Sequence, residues 1–211
     1  MAEDANDPRI HVILHNDFTE YSAGVLAQLR GASGCVWALG TGQNAQGVRQ
    51  NHDNLRRGGA QAFATLAPHG GPFHFVFVSG GGATFEPGLF TPLYARVKGE
   101  TEMALAAARK ANARLRANTV RPGFVDWVDH DVIKPYVSPR PVVKQTAITL
   151  LGPIYRTAFP GKCSPSQPLG KFLTEMAMGK WETEISGPGF EKIGEFAVVN
   201  NDDFRRLSGL E

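Results

Sequence analysis

The amino-acid sequence predicts an α/β fold in which helices cover both faces of a parallel sheet. Short apolar runs, most of them rich in valine, isoleucine or phenylalanine, alternate along the chain with longer helical patterns. The first four runs also lack an alternation of polar and apolar residues, which is typical of strands that are buried on both faces. Strands and helices that alternate in this way form layered folds with right-handed crossovers.

Five apolar runs are predicted as strands, in chain order at residues 10–15, 34–40, 73–80, 116–123 and 195–200. The three segments between the first four runs are predicted as helices. These helical segments are YSAGVLAQLRG, which ends in a capping glycine, then AQGVRQNHDNLRRGGAQAFATLA, and then YARVKGETEMALAAARKANARL.

We expect one domain over residues 1–211, because this length is within the usual size of a single domain. Residues 10–125 form its predicted core. Three prolines in DWVDHDVIKPYVSPRPVVKQ then break the pattern before a helical segment, SPSQPLGKFLTEMAMGK. Residues 126–211 are therefore expected to form a helical, loop-rich lid on the substrate side, together with the last strand.

Composition excludes several classes of protein. The 22 basic and 20 acidic residues give a net charge of +2, so no nucleic-acid partner is expected. The sequence has no signal-peptide pattern and no run of about 18 apolar residues, which predicts a cytoplasmic protein without membrane contact. Cys35 and Cys163 are too far apart to suggest a metal site, and the acids of VDWVDHDV are of the kind that is usually solvated on a loop. No metal is expected.

In open parallel sheets, ligands bind in the crevice beyond the carboxyl ends of the strands. The residues at or just after the ends of four predicted strands would share that edge, and most are small or polar: Asp17 and Phe18, Gly40 and Thr41, Ser79 with Gly80 and Gly81, and Pro122 and Gly123. A glycine at the end of a strand lets a ligand approach the backbone closely. This edge is the predicted ligand site.

Three features at this edge resemble the short-chain dehydrogenase/reductase superfamily. Ser79 ends a strand, Tyr94 and Lys98 open the long helix in a Tyr-x-x-x-Lys spacing, and Arg-Pro-Gly follows the next strand. The segments CVWALGTGQN, FVFVSGGGA, ARVKGETEMAL and NTVRPGFVD are similar to the small atypical, epimerase-like NAD(P)-binding members, many of them fungal. The resemblance covers residues 10–125 and implies a truncated Rossmann-like sheet.

The resemblance implies that Ser79, Tyr94 and Lys98 are catalytic. In the family the tyrosine passes a proton to or from the substrate oxygen, a lysine one helical turn away modulates that phenol and contacts ribose, and the serine orients the substrate. The substrate pocket implied is Gly80, Gly81, Phe124, Trp127 and Tyr136. The cofactor contacts implied, vestigial if no cofactor binds, are Asp17, Phe18, Gly40, Thr41, Pro122 and Gly123. The alternative without a catalytic role is that Tyr94 packs and Lys98 is solvated.

The chain departs from the family at the cofactor site. Such enzymes begin with a buried strand and a glycine-rich turn that opens a helix, where backbone amides hold the pyrophosphate. No such turn precedes the first run here, so neither NADH nor NADPH is expected to bind tightly. The run at residues 10–15 matches the family's third strand, and without the two strands that separate them it is expected to pair directly with residues 34–40. A homodimer is a second way to fill the gap.

Three functions remain open. The first is proton transfer without a nucleotide by an isomerase, cyclase or dehydratase that acts on a small carbonyl or phenolic metabolite. The second is an NAD(P)H-dependent reductase of a small carbonyl metabolite. The third is a non-catalytic ligand-binding module, because one fold hosts many functions. Binding of NADH or NADPH distinguishes the first two.

Overall fold

The structure is a computed structural model that describes residues 7–18, 20–39, 70–137 and 152–210, together with Asp53, Leu55 and Leu66. The helices in this part of the chain are α1 (Ala23–Leu29), α2 (Leu93–Ala111), α3 (Ser166–Ala177), α4 (Glu182–Ser186) and α5 (Asn201–Leu207). The strands are β1 (Gly34–Trp37), β2 (Phe73–Val78), β3 (Leu115–Arg121), β4 (Phe124–Asp126), β5 (Cys163–Pro165), β6 (Glu191–Ile193) and β7 (Phe196–Asn200). Short 3-10 helices lie at Asp131–Tyr136 and Pro160–Lys162, and residues 152–158 are also helical.

The central sheet has the order β1-β2-β3-β7-β6. β1, β2, β3 and β7 run parallel, and β6 pairs antiparallel with β7. The predicted α/β fold, a mostly parallel sheet flanked by helices as in Rossmann-like proteins, is confirmed. The predicted runs at residues 34–40, 73–80 and 195–200 each contain one of its strands, and the run at 116–123 overlaps β3, which begins one residue earlier.

Both faces of this sheet are covered. Leu105 and Ala106 of α2 pack on one face, which presents Phe75, Phe77, Ala117, Phe196 and Val198. Residues of α3, α4 and α5 pack on the opposite face, which presents Val76, Val120, Ala197 and Val199. Successive side chains of a strand point to opposite faces. A strand covered on both sides therefore consists of continuous apolar sequence, which is the pattern that predicted it.

The C-terminal third of the chain builds the sheet as well as covering it. β7 lies between β3 and β6, and α3 packs against β1 and β2. A separate two-stranded sheet pairs β4 with β5 in parallel. Residues 138–151 of the predicted lid lie outside the described residues, as does most of the helix predicted between β1 and β2. None of the described helices is both long enough and apolar enough to cross a membrane.

The strand predicted at residues 10–15 is wrong. These residues have no strand structure, and their apolar side chains are open to solvent, with Ile10 46%, Val12 40% and Leu14 87% exposed. A short apolar run cannot reveal whether a neighbouring strand will cover it. The segment reaches the core instead through Phe18, whose ring packs edge-on against Trp37 with 6.0 Å between centroids.

The first helix forms where it was predicted. The Ser22 hydroxyl accepts a hydrogen bond from the Val25 amide at 3.3 Å and caps the N-terminus of α1. Gly31, two residues beyond Leu29, has a φ of +91° that favours glycine and turns the chain towards β1. Leu29 packs against the core on the α2 side of the sheet.

Candidate active site

Ser79 lies at the carboxyl end of β2 and is only 3% exposed. Its amide donates a hydrogen bond to the Val120 carbonyl at 2.9 Å, so the backbone is fixed to β3. Its hydroxyl oxygen is buried, and the described residues offer it no hydrogen-bond partner. Since nearly all buried hydroxyls in folded proteins are hydrogen-bonded, an unpaired one at a strand end is a candidate to bind a ligand oxygen.

Lys98 contacts the same residue from α2. Its ammonium group donates a hydrogen bond to the Ser79 carbonyl. Burial lowers the pKa of Lys98 from its ordinary value, and the carboxylate of Glu102 opposes that shift. A Cβ at Gly80 would lie 3.0 Å from the lysine Nζ, so a side chain there would crowd the ammonium group.

Tyr94 lies one turn before Lys98, in the first turn of α2. The helix begins here because Pro92 precedes it in an extended conformation and its carbonyl accepts from the Ala95 amide at 3.0 Å. Tyr94 is 47% exposed, and a Cβ at Gly82 would lie 3.4 Å from its hydroxyl oxygen. The structure thus brings the three residues predicted as catalytic together around the loop at residues 80–82.

Close backbone contacts fix this glycine loop. The Gly81 amide donates to the Pro122 carbonyl at 2.8 Å, which ties the loop to the end of β3. Gly99 in α2 packs directly on the segment that follows the loop, since a Cβ there would lie 1.9 Å from the Thr84 carbonyl oxygen. A glycine inside a helix costs about 1 kcal/mol relative to alanine. The contact at Thr84 is the physical reason for Gly99, which sequence reasoning missed.

A buried ion pair supports the same helix. Glu102, four residues after Lys98, is fully buried, and its carboxylate accepts from Arg121 Nη2 at 2.6 Å and from Thr119 Oγ1 at 3.2 Å. The Arg121 guanidinium also contacts Glu191 of β6 at 3.1 Å and lies over the Phe85 ring at 4.7 Å. Sequence reasoning missed Glu102, although an acidic residue one turn after a functional lysine was the available signal.

The predicted substrate-pocket residues beyond the glycine loop lie in the segment after β3. Phe124 packs edge-on against Tyr155, with 6.0 Å between ring centroids. Trp127 is half-buried, and Tyr136 is 46% exposed at the end of a 3-10 helix. Their roles as pocket residues stay predictions.

Gly123, predicted as a cofactor contact next to Pro122, has a structural explanation. Its amide donates to Ser164 Oγ at 2.9 Å and to Asn201 Oδ1 at 3.2 Å. A Cβ there would lie 2.2 Å from the Lys162 carbonyl oxygen, so close packing is a sufficient reason for glycine at this position.

The starts of the five numbered helices differ from the glycine-rich turn that holds a pyrophosphate in the family. The residues just before the five numbered helices in this part of the chain are Ser22, Pro92, Pro165, Trp181 and Asn200, so no glycine-rich turn opens any of them. Of the predicted cofactor contacts, Asp17 is exposed and Phe18 packs on Trp37. Gly40 and Thr41 lie outside the described residues.

The acidic segment after β3 is held by ion pairs. Arg156 Nη2 donates to Asp126 Oδ1 at 3.0 Å, and Lys134 pairs with Asp131. In the part of the chain that the structure describes, no group of three or more histidine, cysteine, aspartate or glutamate side chains is arranged to hold a metal ion.

Two relatives of the chain are named as biosynthesis-cluster proteins. The chain is 43% identical over 138 residues, 65% of this chain and 87% of the relative, to the botcinic acid biosynthesis cluster B protein 16 of Botryotinia fuckeliana. It is 30% identical over 194 residues, 81% of this chain and 69% of the relative, to the leucinostatins biosynthesis cluster protein T of Purpureocillium lilacinum. No family model and no solved structure matches. The chain belongs to the same family as these two relatives.

Proposed function

We propose that this protein is a small-molecule enzyme of secondary metabolism, of short-chain dehydrogenase lineage, that transfers protons on a carbonyl or phenolic metabolite without a tightly bound nucleotide. The observation that carries the proposal is the buried Ser79 hydroxyl, which has no partner among the described residues and lies beside Lys98. The biosynthesis-cluster names of both relatives support a role in making a secondary metabolite. The reaction would be an isomerisation, a cyclisation or a dehydration.

In this mechanism Ser79 donates its hydroxyl hydrogen to the substrate oxygen and fixes its position. Tyr94, at the mouth of the site, donates a proton to the substrate or removes one, which is general acid–base catalysis. The Lys98 ammonium group stabilises negative charge that develops on the phenol or the substrate oxygen. Its hydrogen bond to the Ser79 carbonyl holds it at the strand end, so little reorganisation accompanies the reaction.

Glu102 stabilises the proposed catalytic arrangement of Ser79, Tyr94 and Lys98. Burial of Lys98 favours its neutral form, whereas the Glu102 carboxylate favours the charged form that the mechanism requires. The Glu102 carboxylate is itself ion-paired with the Arg121 guanidinium, with 2.6 Å between Oε2 and Nη2. The ion pair therefore stabilises α2 against β3 and holds the catalytic turn of α2 next to Ser79.

The reaction class can be tested with metabolites from a producing fungus that lacks the gene. The purified protein is incubated with this extract, with and without NADPH, and products are followed by mass spectrometry. We expect a product of unchanged mass, or one that has lost water, to form without the nucleotide. A product that has gained two hydrogens and forms only with NADPH would support the reductase instead. An extract that stays unchanged throughout would favour a ligand-binding module.

A further inference from the structure

A groove lies between the C-terminal half of α2 and the turn that joins β6 to β7. Its volume is about 640 Å³, which is within the range of sites for small molecules. It opens at the amino ends of β3 and β7, whereas Ser79 lies at the carboxyl end of β2. Its apolar walls include Met103, Ala106, Ala107, Ala113, Ile193 and Phe196.

One part of this groove is cationic. Arg109, Lys110 and Arg116 all line it, and the acidic residue that lines it is Glu195. Glu195 is 79% exposed, and its carboxylate is 3.8 Å from Arg109 and 3.9 Å from Arg116, at the outer limit of an ion pair. Exposed contacts of this length contribute little, so positive charge remains available to an incoming anion.

Arg109 adds a buried donor. It is only 6% exposed; its Nη1 donates to Asn118 Oδ1 at 2.7 Å and its Nη2 to Glu182 at 2.9 Å. Its Nε is also buried and has no hydrogen-bond partner among the described residues. Buried guanidinium groups normally use all their donors. Arg109 therefore lines the groove with an unused donor in addition to its charge.

We propose that this groove binds an apolar small molecule that carries one anionic group, such as an aliphatic carboxylate. The apolar side chains of α2 and Ile193 take the apolar body, and Arg109, Lys110 and Arg116 attract the anion. Glu195 competes with the ligand for the same cations. This second site is separate from the proposed active site, and its existence does not depend on the reaction there.

The test is a titration of the ¹⁵N-labelled protein with decanoate, followed by amide chemical shifts in NMR spectra. Decan-1-ol is the uncharged match for the same chain length. We expect the shifts to centre on residues 103–116 and 193–196, and decanoate to bind roughly fivefold more tightly than decan-1-ol. Shifts that centre elsewhere, equal affinities for the two probes, or no shifts at millimolar decanoate would each overturn the proposal.

Paired variants separate the groove from general charge attraction. Arg116→Gln should weaken decanoate binding roughly threefold or more, whereas Arg114→Gln, which removes the same charge two residues away and outside the groove, should leave it nearly unchanged. Glu195→Gln should tighten decanoate binding and leave decan-1-ol unaffected, and this variant keeps the arginines intact. Equal weakening by the two arginine variants, or no effect of Glu195→Gln, would contradict the proposal.

Discussion

Two buried arginines lie at β3, one at its carboxyl end and one nearer its amino end, and their acidic partners differ in exposure. At the carboxyl end, Arg121 pairs with Glu102, which is completely buried. Nearer the amino end, Arg109 of α2 donates to Asn118 of β3 and pairs with Glu182, whose side chain is 26% exposed. The first pair is closed to water and supports the turn of α2 that carries Lys98. The pair of Arg109 and Glu182 is partly open to water, and the cationic side chains around it outnumber the acidic ones. A closed pair holds a site in position, whereas an open one leaves charge for a ligand.

Backbone pairing differs between the same two ends. β3 and β7 are in register from Thr119 and Val198 to the carboxyl end of the sheet. Nearer the amino end, Asn118 Oδ1 accepts from the Ala197 amide at 2.9 Å and from Arg109 at 2.7 Å. A side chain thus replaces a ladder hydrogen bond there. The carboxyl end depends on closed packing, and the amino end on a polar side-chain network.

The largest expected effect is at the closed pair. Arg121→Met leaves Glu102 buried without a partner and should lower the free energy of unfolding by about 3–5 kcal/mol. Arg109→Met leaves a partly hydrated Glu182 and should cost about 1–3 kcal/mol. Urea denaturation of both variants measures the difference. Equal losses would break the contrast between the two ends, and the double variant Arg121→Met with Glu102→Met should recover much of the first loss.

A second test concerns how tightly α2 packs beside the proposed active site. Gly99→Ala places a methyl group against the Thr84 carbonyl and should lower the free energy of unfolding by about 1–3 kcal/mol. Gly170→Ala is the matched change in α3, where a Cβ meets nothing within 4 Å. That variant should be neutral or more stable by up to about 1 kcal/mol, since alanine favours a helix. Thermal or urea unfolding that ranks the two variants the other way would refute the close contact.

The smallest effect is a pH dependence at the amino end. The Nδ1 atom of His74 lies 3.9 Å from the carboxylate of Glu182. Burial lowers the pKa of His74 below its usual 6.5. The negative charge of Glu182 opposes this shift, whereas the positive charges of Arg116 and Arg109 add to it. The unfolded chain therefore binds the proton more readily than the folded one in the window just below pH 6.5. Stability should fall as the pH drops through that window.

The variant His74→Gln isolates this contribution. Its free energy of unfolding should fall less steeply between about pH 7 and pH 5.5 than that of the parent protein. His11→Gln, the same substitution at an exposed position in the first segment, is the control. Identical slopes for all three proteins would show that His74 carries no proton-linked stability.

Local sequence patterns predicted much of the fold, and the resemblance to the short-chain dehydrogenase/reductase superfamily implied the candidate catalytic trio. β2, β3 and β7 are apolar because both their faces are covered, and Tyr94 and Lys98 share a helix face through their spacing. β4, β5 and β6 have three residues each, too few for a periodic signal. Residues 10–15 look like a strand because an apolar run does not show what it will pack against.

Long-range partnerships escaped prediction for a different reason. Arg121 and Glu102 are 19 residues apart, and Arg109 and Glu182 are 73 apart. No spacing rule links such positions, so only the fold brings them together. The groove between α2 and the β6–β7 turn is hidden in the same way, since its cations and its apolar walls come from separate elements.

The most direct test of the central claim, proton transfer at Tyr94, is solvent deuterium incorporation into the product in deuterated water without a nucleotide. The ring of Tyr155 packs against Phe124 and Phe159, so Tyr155→Phe is a control that keeps its packing. We predict that the parent protein and Tyr155→Phe incorporate deuterium at similar rates, and that Tyr94→Phe is slower by roughly 10²–10⁴. A Tyr94→Phe variant that remains folded and incorporates deuterium at the parent rate would contradict the account.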